Sequence, residues 1–321
     1  MPATRLYFHP AIARHDAAAN HVIMAPERVQ SIWAAVRYLE GTEPHWAQDL
    51  PLDRFALAHD PQFLQELQDH APTEEGQQWA FNRETVLNMH TLSALRHSAG
   101  AACQAVRAVL DGAAANAFCC TYAGHHAGRA SAQGFCITNP VAIAARYALY
   151  EGVEKVVVLD FDTHSGNGTI DILREDVGRV LFAETYQKGY PGNFLRGPAP
   201  AHILRRKVDK PSEFLLHWKQ LLQAVRAFEP ELVLVSAGFD AHAADPLSVV
   251  SLQDWHYEQL FAHILEASPR VVSVLEGGYN LETTQRLAAK WVQALVRAGQ
   301  TAQPLQAPLN TFGEFLGLHE P

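Results

Sequence analysis

The chain has 321 residues, a hydrophobic fraction of 48% and a formal net charge of −9 at pH 7. This length and apolar content suffice to bury one large core, so we expect a single catalytic domain over residues 1–321. The acidic balance argues against direct nucleic-acid binding, which needs a basic surface. No run approaches the roughly 20 apolar residues of a membrane-spanning helix.

Helix-like and strand-like segments alternate along the chain. The patterns predict helices at 26–40, 88–110, 141–150, 212–228, 252–266 and 281–297. Apolar, β-branched runs of strand length lie between them, and this alternation predicts an α/β fold with a parallel sheet flanked by helices in three layers. Long loops are predicted at 41–61, 70–83 and 187–211, and an extended C-terminal segment at 299–321.

The first polar motif in chain order places adjacent histidines, His125 and His126, among small residues after the apolar run 118–120. A lone pair of histidines is more often surface or core filling than a site. The histidine pair indicates a functional site only in combination with the motifs that follow other strands.

The second motif follows the strand-like run 156–159 and contains Asp160, Asp162 and His164, followed by small residues. Side chains of an extended chain alternate, so Asp162 and His164 point the same way. A carboxylate and an imidazole that converge at a strand end form half of a divalent-metal site.

Two further strand-like runs end in comparable motifs. The run 232–237 leads to Gly238 and Asp240, and the run 271–274 leads to a glycine-rich turn that carries Tyr279. Functional sites of open α/β sheets lie outside the carboxyl ends of the strands, so Asp240 can complete a set of three ligands. Three protein ligands leave a position open, as in catalytic zinc sites.

These motifs together resemble the signature of the histone deacetylase and acetylpolyamine amidohydrolase superfamily. The resemblance runs in the expected order from about Pro26 to Tyr279 and includes the motifs GHHA, GFC, DxDxHxGNG, YPG, AGFD, DPL and EGGY. It implies an arginase-like fold with about eight parallel strands and hydrolysis of an acyl amide.

The resemblance also implies a metal site and proton-transfer residues. Asp162, His164 and Asp240 would bind Zn²⁺ or Fe²⁺. His126 would be the general base toward the attacking water and then the acid toward the leaving amine, with His125 as its electrostatic partner.

The remaining roles are orientation, oxyanion stabilisation and substrate binding. Asp160 would orient His125, and Asn167 would orient His126. Tyr279 would donate its hydroxyl to the developing oxyanion. The substrate-binding residues implied by the resemblance are the Gly134 carbonyl, the channel walls Phe135 and Tyr190, and the channel-mouth residue Leu247. Arg28 matches a buried arginine of the family near an internal cavity below the metal.

Three departures from the family pattern occur, at Ser165, at Glu184, and at Thr185 and Tyr186, which stand where Leu-His is usual. Ser165 stands where most members carry a second histidine, and Glu184 where many members have a serine that helps to bind a monovalent cation. Both changes resemble the class IV branch. The family implies K⁺ at a structural site near Asp160, which Glu184 would either strengthen or replace.

Two other functions compete with acyl-amide hydrolysis. An arginase-like ureohydrolase uses two Mn²⁺ ions and further aspartates, whereas this chain has Ser165 after His164, and His242 where a further aspartate would help to bridge two metals. A non-catalytic acyl-lysine binder would keep the pocket without turnover, but Tyr279 argues against it. The favoured prediction is an amidohydrolase that acts on a small-molecule or peptide acyl-amine, such as acyl-lysine or acylpolyamine.

The expected compartment is the cytoplasm. The first ten residues lack the pattern of a signal peptide. The four cysteines form no CxxC pair and lie in apolar surroundings, which indicates buried thiols in a reducing environment. The sequence gives no indication of the oligomeric state.

Overall fold

Eight strands form one parallel sheet in the computed structural model, which describes residues 2–16, 26–188, 197–268 and 270–300. Its strands are β1 (Thr4–Phe8), β2 (Thr42–Trp46), β5 (Asn116–Cys119), β6 (Val156–Asp160), β7 (Val180–Gln187), β8 (Ile203–Val208), β9 (Leu232–Ala237) and β10 (Val271–Leu275). Their order across the sheet is β2-β1-β5-β10-β9-β6-β7-β8. Two short strands, β3 (Trp79–Ala80) and β4 (Val86–Leu87), form a separate antiparallel pair.

Helices cover both faces of the sheet. They are α1 (Glu27–Val36), α2 (Pro61–His70), α3 (Thr91–Leu110), α4 (Pro140–Tyr150), α5 (Asn167–Leu173), α6 (Pro211–Phe228), α7 (Asp254–Ala267) and α8 (Leu281–Gly299). None of the helices within the described ranges is long and apolar enough to cross a bilayer. The predicted three-layer α/β architecture is therefore confirmed.

The alternation of side chains along the central strands produces two separate cores. On β6, Val156 and Val158 belong to the core shared with α3 and α4, whereas Val157 and Leu159 belong to the core shared with α1, α6, α7 and α8. Because both faces are covered, the central strands are apolar throughout, as is usual for parallel sheets.

Some elements lie where loops were predicted. Strand β2 falls inside the predicted loop 41–61, and β8 inside the predicted loop 187–211. Both are edge strands with polar or charged residues, because one side of each strand has no neighbour in the sheet. The apolar run that signals a central strand is therefore absent from both.

The sheet order positions the four polar motifs next to one another. Strands β5, β10, β9 and β6 are consecutive neighbours in the sheet and run in the same direction. Their carboxyl ends therefore lie on one edge, where the segments that follow them converge. This edge carries the candidate site.

Candidate metal centre and active site

Three buried ligands meet at this edge. Asp162 and His164 follow β6, Asp240 follows β9, and one ligand atom of each lies within 4.8 Å of the others. Nδ1 of His164 is 3.1 Å from Oδ1 of Asp162 and 3.0 Å from Oδ2 of Asp240. Among the described residues this is the one cluster of three such groups, and it contains the three ligands predicted from the sequence.

The donor chemistry of this cluster fits a divalent cation. Oδ2 of Asp162 accepts a hydrogen bond from the Gly277 amide, and Oδ1 of Asp240 accepts one from the Thr163 amide. Oδ2 of Asp240 is buried, and its polar neighbour is the Nδ1 atom of His164, which belongs to the same cluster. Buried carboxylate oxygens need a partner, and two carboxylates with one imidazole are a donor set that suits zinc.

Gly277 and Gly238 lie so close to the carboxylates of the cluster that neither position has room for a side chain. A Cβ on Gly277 would lie 2.5 Å from the Oδ2 atoms of both Asp162 and Asp240. A Cβ on Gly238 would lie 2.2 Å from Oδ2 of Asp162. Any side chain at either position would therefore displace the carboxylates of the cluster.

The two adjacent histidines have different partners. Nδ1 of His125 donates to Oδ2 of Asp160 at 2.9 Å, and Nδ1 of His126 donates to Oδ1 of Asn167 at 2.8 Å. The rings lie 4.1 Å apart between centroids, and the His126 ring lies 5.9 Å from that of His164. With Nδ1 protonated, Nε2 of His126 retains a lone pair that can accept a proton.

These partners shift the pKa values of the two histidines in opposite directions. Burial opposes the charged form of His125, but the carboxylates of Asp160 and Asp162 outweigh burial and raise its pKa well above the usual value. Burial, together with the positive charge of His125, holds the pKa of His126 well below the usual value. His126 is therefore the neutral member of the pair.

Glu276 is a site residue for which the sequence indicated no role. Its Oε2 accepts hydrogen bonds from the amides of Gly124 and His125 at 2.7 and 3.1 Å, and its Oε1 accepts one from Ser236 at 3.1 Å. The carboxylate therefore connects β10 to the backbone that carries the histidine pair. A buried acid directly after a strand was the available signal, but its partners are distant in sequence.

Tyr279 is held through its backbone. Oδ2 of Asp245 accepts hydrogen bonds from the amides of Tyr279 and Asn280 at 2.7 and 3.1 Å. Burial raises the pKa of Tyr279 well above the usual value, and the Asp240 and Asp162 carboxylates add to this effect. The hydroxyl therefore stays protonated and can act as a donor.

Arg28 lies beneath the same turn. Its Nε donates to the carbonyl oxygen of Gly278, its Nη2 donates to that of Glu276, and its guanidinium lies 5.6 Å from the centre of the Tyr279 ring. The Gly278 φ angle of +124° favours glycine. Arg28 thus fixes the course of the Glu276–Tyr279 turn.

The predicted channel residues are described in part. Gly134 and Phe135 form a tight turn with φ angles of 56° and 68°. The Leu247 amide donates to Asp245, and the Leu247 carbonyl accepts a hydrogen bond from Gln187 at 3.1 Å. Tyr190 lies outside the described residues. Asp245 and Gln187 fix the Leu247 segment, a role the sequence did not indicate.

A buried histidine anchors the segment that carries the histidine pair. Nδ1 of His59 donates to the Gly128 carbonyl at 3.0 Å, and its Nε2 accepts a hydrogen bond from the Asn139 amide at 3.0 Å. Burial lowers the pKa of His59 to about 4. Protonation of Nε2 would place one N–H against another.

The His59 contribution to stability should be lost in acid. It is fully present above the unfolded-state pKa of about 6.5, and it declines as the pH falls toward 4, by about 3 kcal/mol in total. Urea unfolding at a series of pH values tests this. The His59→Gln variant keeps a donor and an acceptor but cannot titrate, so its stability should fall less steeply over this range. Equal slopes for the two proteins would contradict the prediction.

Comparisons with known proteins identify the family to which the chain is similar. Residues 22–295 match the family described as "Histone deacetylase domain". The chain is 31% identical to an uncharacterized protein of Synechocystis sp., over 88% of this chain and 96% of that protein. It is 33% identical to the polyamine deacetylase HDAC10 of Homo sapiens, over 82% of this chain but only 42% of that protein.

A solved structure shares the fold. The crystal structure of the HDA15 HD domain superposes with a TM-score of 0.84, at 23% sequence identity, over 95% of this chain and 90% of that one. The fold predicted from the sequence is thereby confirmed.

Proposed function

This chain belongs to the histone deacetylase domain family, and on that premise we propose that it is a metal-dependent hydrolase that removes an acyl group from an amine. The observation that carries the proposal is the convergence of Asp162, His164 and Asp240 at the same edge of the sheet as the two adjacent histidines. A family match and a polyamine deacetylase among the relatives support the same class of reaction.

The metal we propose at Asp162, His164 and Asp240 is Zn²⁺, with Fe²⁺ as the alternative. Such an ion would polarise the substrate carbonyl and acidify water. Two buried carboxylates and the Nδ1 atom of His164 provide the donors for one ion.

His126 is the proposed proton shuttle. Its neutral Nε2 takes a proton from the attacking water, while Asn167 holds the Nδ1 proton in place. The proton then passes to the nitrogen of the leaving amine as the C–N bond breaks. His125, held cationic by Asp160, contributes a fixed positive charge beside the reacting atoms.

Tyr279 is the proposed oxyanion donor. Its hydroxyl would donate to the carbonyl oxygen as negative charge develops there, and such a bond strengthens in the transition state. Asp245 binds the Tyr279 amide and Arg28 binds the Gly278 carbonyl, so both residues hold the Tyr279 turn. We further propose that the Gly134 carbonyl accepts the substrate N–H, that Phe135 and Tyr190 form the channel walls, and that Leu247 lies at the channel mouth.

The proposed substrates are cationic acyl-amines, namely acyl-lysine peptides or acylated polyamines. The net charge of −9 favours such molecules, and one relative is named a polyamine deacetylase. The acyl group that is removed is an acetyl group or a longer acyl group. The four free, buried cysteines support a reducing compartment such as the cytoplasm.

The ureohydrolase alternative is less well supported. His242 stands where a further metal-bridging aspartate would be expected, and its Nε2 lies 3.1 Å from Oδ1 of Asp254. The described residues contain one cluster of three metal-ligating groups, which suits one ion rather than two. Ser165 and Glu184 differ from the usual family residues, and on that basis we propose that the chain resembles the class IV branch.

A substrate panel tests the proposed function. Protein stripped with a chelator should be inactive, and it should regain amine release from an acyl-lysine peptide or an acetylated polyamine after addition of Zn²⁺ or Fe²⁺. An acetyl-lysine peptide, a long-chain acyl-lysine peptide, an acetylated polyamine and arginine should be compared, with Asp240→Asn as the control. Urea release from arginine in the presence of Mn²⁺ would overturn the proposal.

A further inference from the structure

A buried ionic cluster lies beneath the turn that follows His164. Oε1 of Glu184 accepts a hydrogen bond from Ser165 Oγ at 3.0 Å, and Oε2 accepts one from the Gly166 amide at 2.8 Å. Nε of Arg205 donates to Oε1 of Glu184, and its Nη2 donates to Ser165 Oγ at 2.7 Å. We call these four residues the Glu184–Arg205 cluster.

The register of the sheet places these side chains together. Asp160 on β6 pairs with Glu184 on β7, and Glu184 pairs with Arg205 on β8. Residues paired in this way project from the same face of a sheet. Two buried carboxylates therefore lie on adjacent strands, and burial of charge without a counter-ion is costly.

The guanidinium of Arg205 supplies the counter-ion. The Glu184 side chain is fully buried, and the Arg205 side chain is only 15% exposed. The guanidinium also lies over the Tyr186 ring, 4.4 Å from its centre, which fixes it on a second side. Arg205 is thus held in one place, with its charge directed at Glu184.

This arrangement does not fit a potassium ion near Asp160. Such an ion is attracted by carboxylate charge that has no counter-ion, whereas Oε1 of Glu184 already accepts from Ser165 Oγ and from the Arg205 guanidinium, and Oε2 accepts from the Gly166 amide. A second cation would also be repelled by the guanidinium. The positive charge in this cluster is therefore supplied by the Arg205 side chain.

We propose that Arg205 replaces a bound monovalent cation in this protein and is a positioning residue for the metal centre. It acts through Glu184 on the Ser165–Gly166 turn, which joins His164 to Asn167 at the start of α5. A Cβ on Gly166 would lie 2.3 Å from Asp160 Oδ2, so this turn also packs closely on the residue that orients His125. The turn therefore influences both the metal ligand and the proton shuttle.

The first test compares cations on the unaltered protein. Thermal unfolding, Zn²⁺ affinity and turnover are measured in KCl, NaCl and tetramethylammonium chloride at equal ionic strength, so that general screening is constant. We expect the Zn²⁺ affinity and kcat to differ by less than about twofold among the three salts. A severalfold gain that is specific to K⁺ would overturn the proposal.

The second test removes the internal charge. Arg205→Ala leaves a buried carboxylate unpaired and should lower the unfolding temperature by on the order of 10 °C. Potassium or low concentrations of guanidinium should then raise the unfolding temperature and the Zn²⁺ affinity, whereas tetramethylammonium should not. Arg205→Lys should show a smaller loss. Arg206→Gln is the matched control, because its exposed side chain follows directly on the same strand.

The outcomes separate this inference from the proposed function. Unfolding and Zn²⁺ binding do not depend on which substrate is hydrolysed, so an inactive protein can still show the cation response. If Arg205→Ala does not fold, the double variant Glu184→Gln, Arg205→Gln removes both charges, and it should fold and gain no response to K⁺. An Arg205→Ala protein that matches Arg206→Gln, or that is impaired without recovery in any cation, would overturn the proposal.

Discussion

Replacement of His126 by glutamine should lower kcat by about 10³-fold, within the range usual for loss of a general acid–base group. Glutamine can keep a hydrogen bond to Asn167 but cannot accept and return a proton. Stopped assays of amine release on Zn²⁺-loaded protein measure the effect, and unchanged Zn²⁺ affinity shows that the metal centre is intact.

The matched control is His125→Gln, because the two residues are adjacent and share the same backbone. His125 donates to Asp160, whose carboxylate raises the pKa of His125, so its loss removes an electrostatic partner and leaves the proton shuttle in place. We expect the smaller loss of kcat for this variant. The opposite ranking would exchange the roles assigned to the two histidines.

The pH dependence should report the same assignment. Burial and the charge of His125 hold the pKa of His126 below its usual value, and the base must be neutral to act. The acid limb of kcat/KM should therefore lie below pH 6.5, the ordinary histidine range. It should be missing from the residual activity of His126→Gln. If His126→Gln keeps the acid limb of its kcat/KM profile, the limb reports the ionisation of another group.

Replacement of Tyr279 by phenylalanine should lower kcat by about 10²- to 10³-fold, as expected for loss of one oxyanion donor. The hydrogen bond forms chiefly as charge develops, so KM should change little. The Asp245 contact is made to the backbone amide and should survive the substitution. Steady-state kinetics on a single acyl-amine substrate separates the two parameters.

Tyr150→Phe is the control for this prediction. Tyr150 ends α4 and is 51% exposed, so its hydroxyl has no part in the proposed site. That variant should keep wild-type kcat. A Tyr279→Phe protein with wild-type kcat would remove Tyr279 from the mechanism, whereas a large rise in KM alone would make it a substrate-binding residue.

The sequence predicted the central part of the fold because buried parallel strands and amphipathic helices leave strong patterns. Strand β6, for example, is an unbroken Val/Leu run that ends at Asp160. The edge strands β2 and β8 were predicted as loops, since their exposed sides admit charged and polar residues. The short helix α5 was also missed, because it begins within the glycine-rich motif.

Some residues of the site could likewise be predicted from the sequence, and others could not. Asp162, His164 and Asp240 could be predicted because each follows a strand in a compact motif, and the structure brings their ligand atoms together. Glu276 and Arg205 could not be assigned roles, because each acts through partners on other strands. Arg205 meets Glu184 only through the register of two adjacent strands, and a single sequence does not specify register.

Asp162, His164 and Asp240 are proposed to form a single metal site that supports the reaction. Metal analysis of Zn²⁺-loaded protein, paired with calorimetric titration, tests this proposal most directly. We predict one tightly bound ion per chain, a loss of affinity of more than about 100-fold in Asp240→Asn, and a matching loss of amine release. Two ions per chain, or wild-type Zn²⁺ affinity in that variant, would contradict the account.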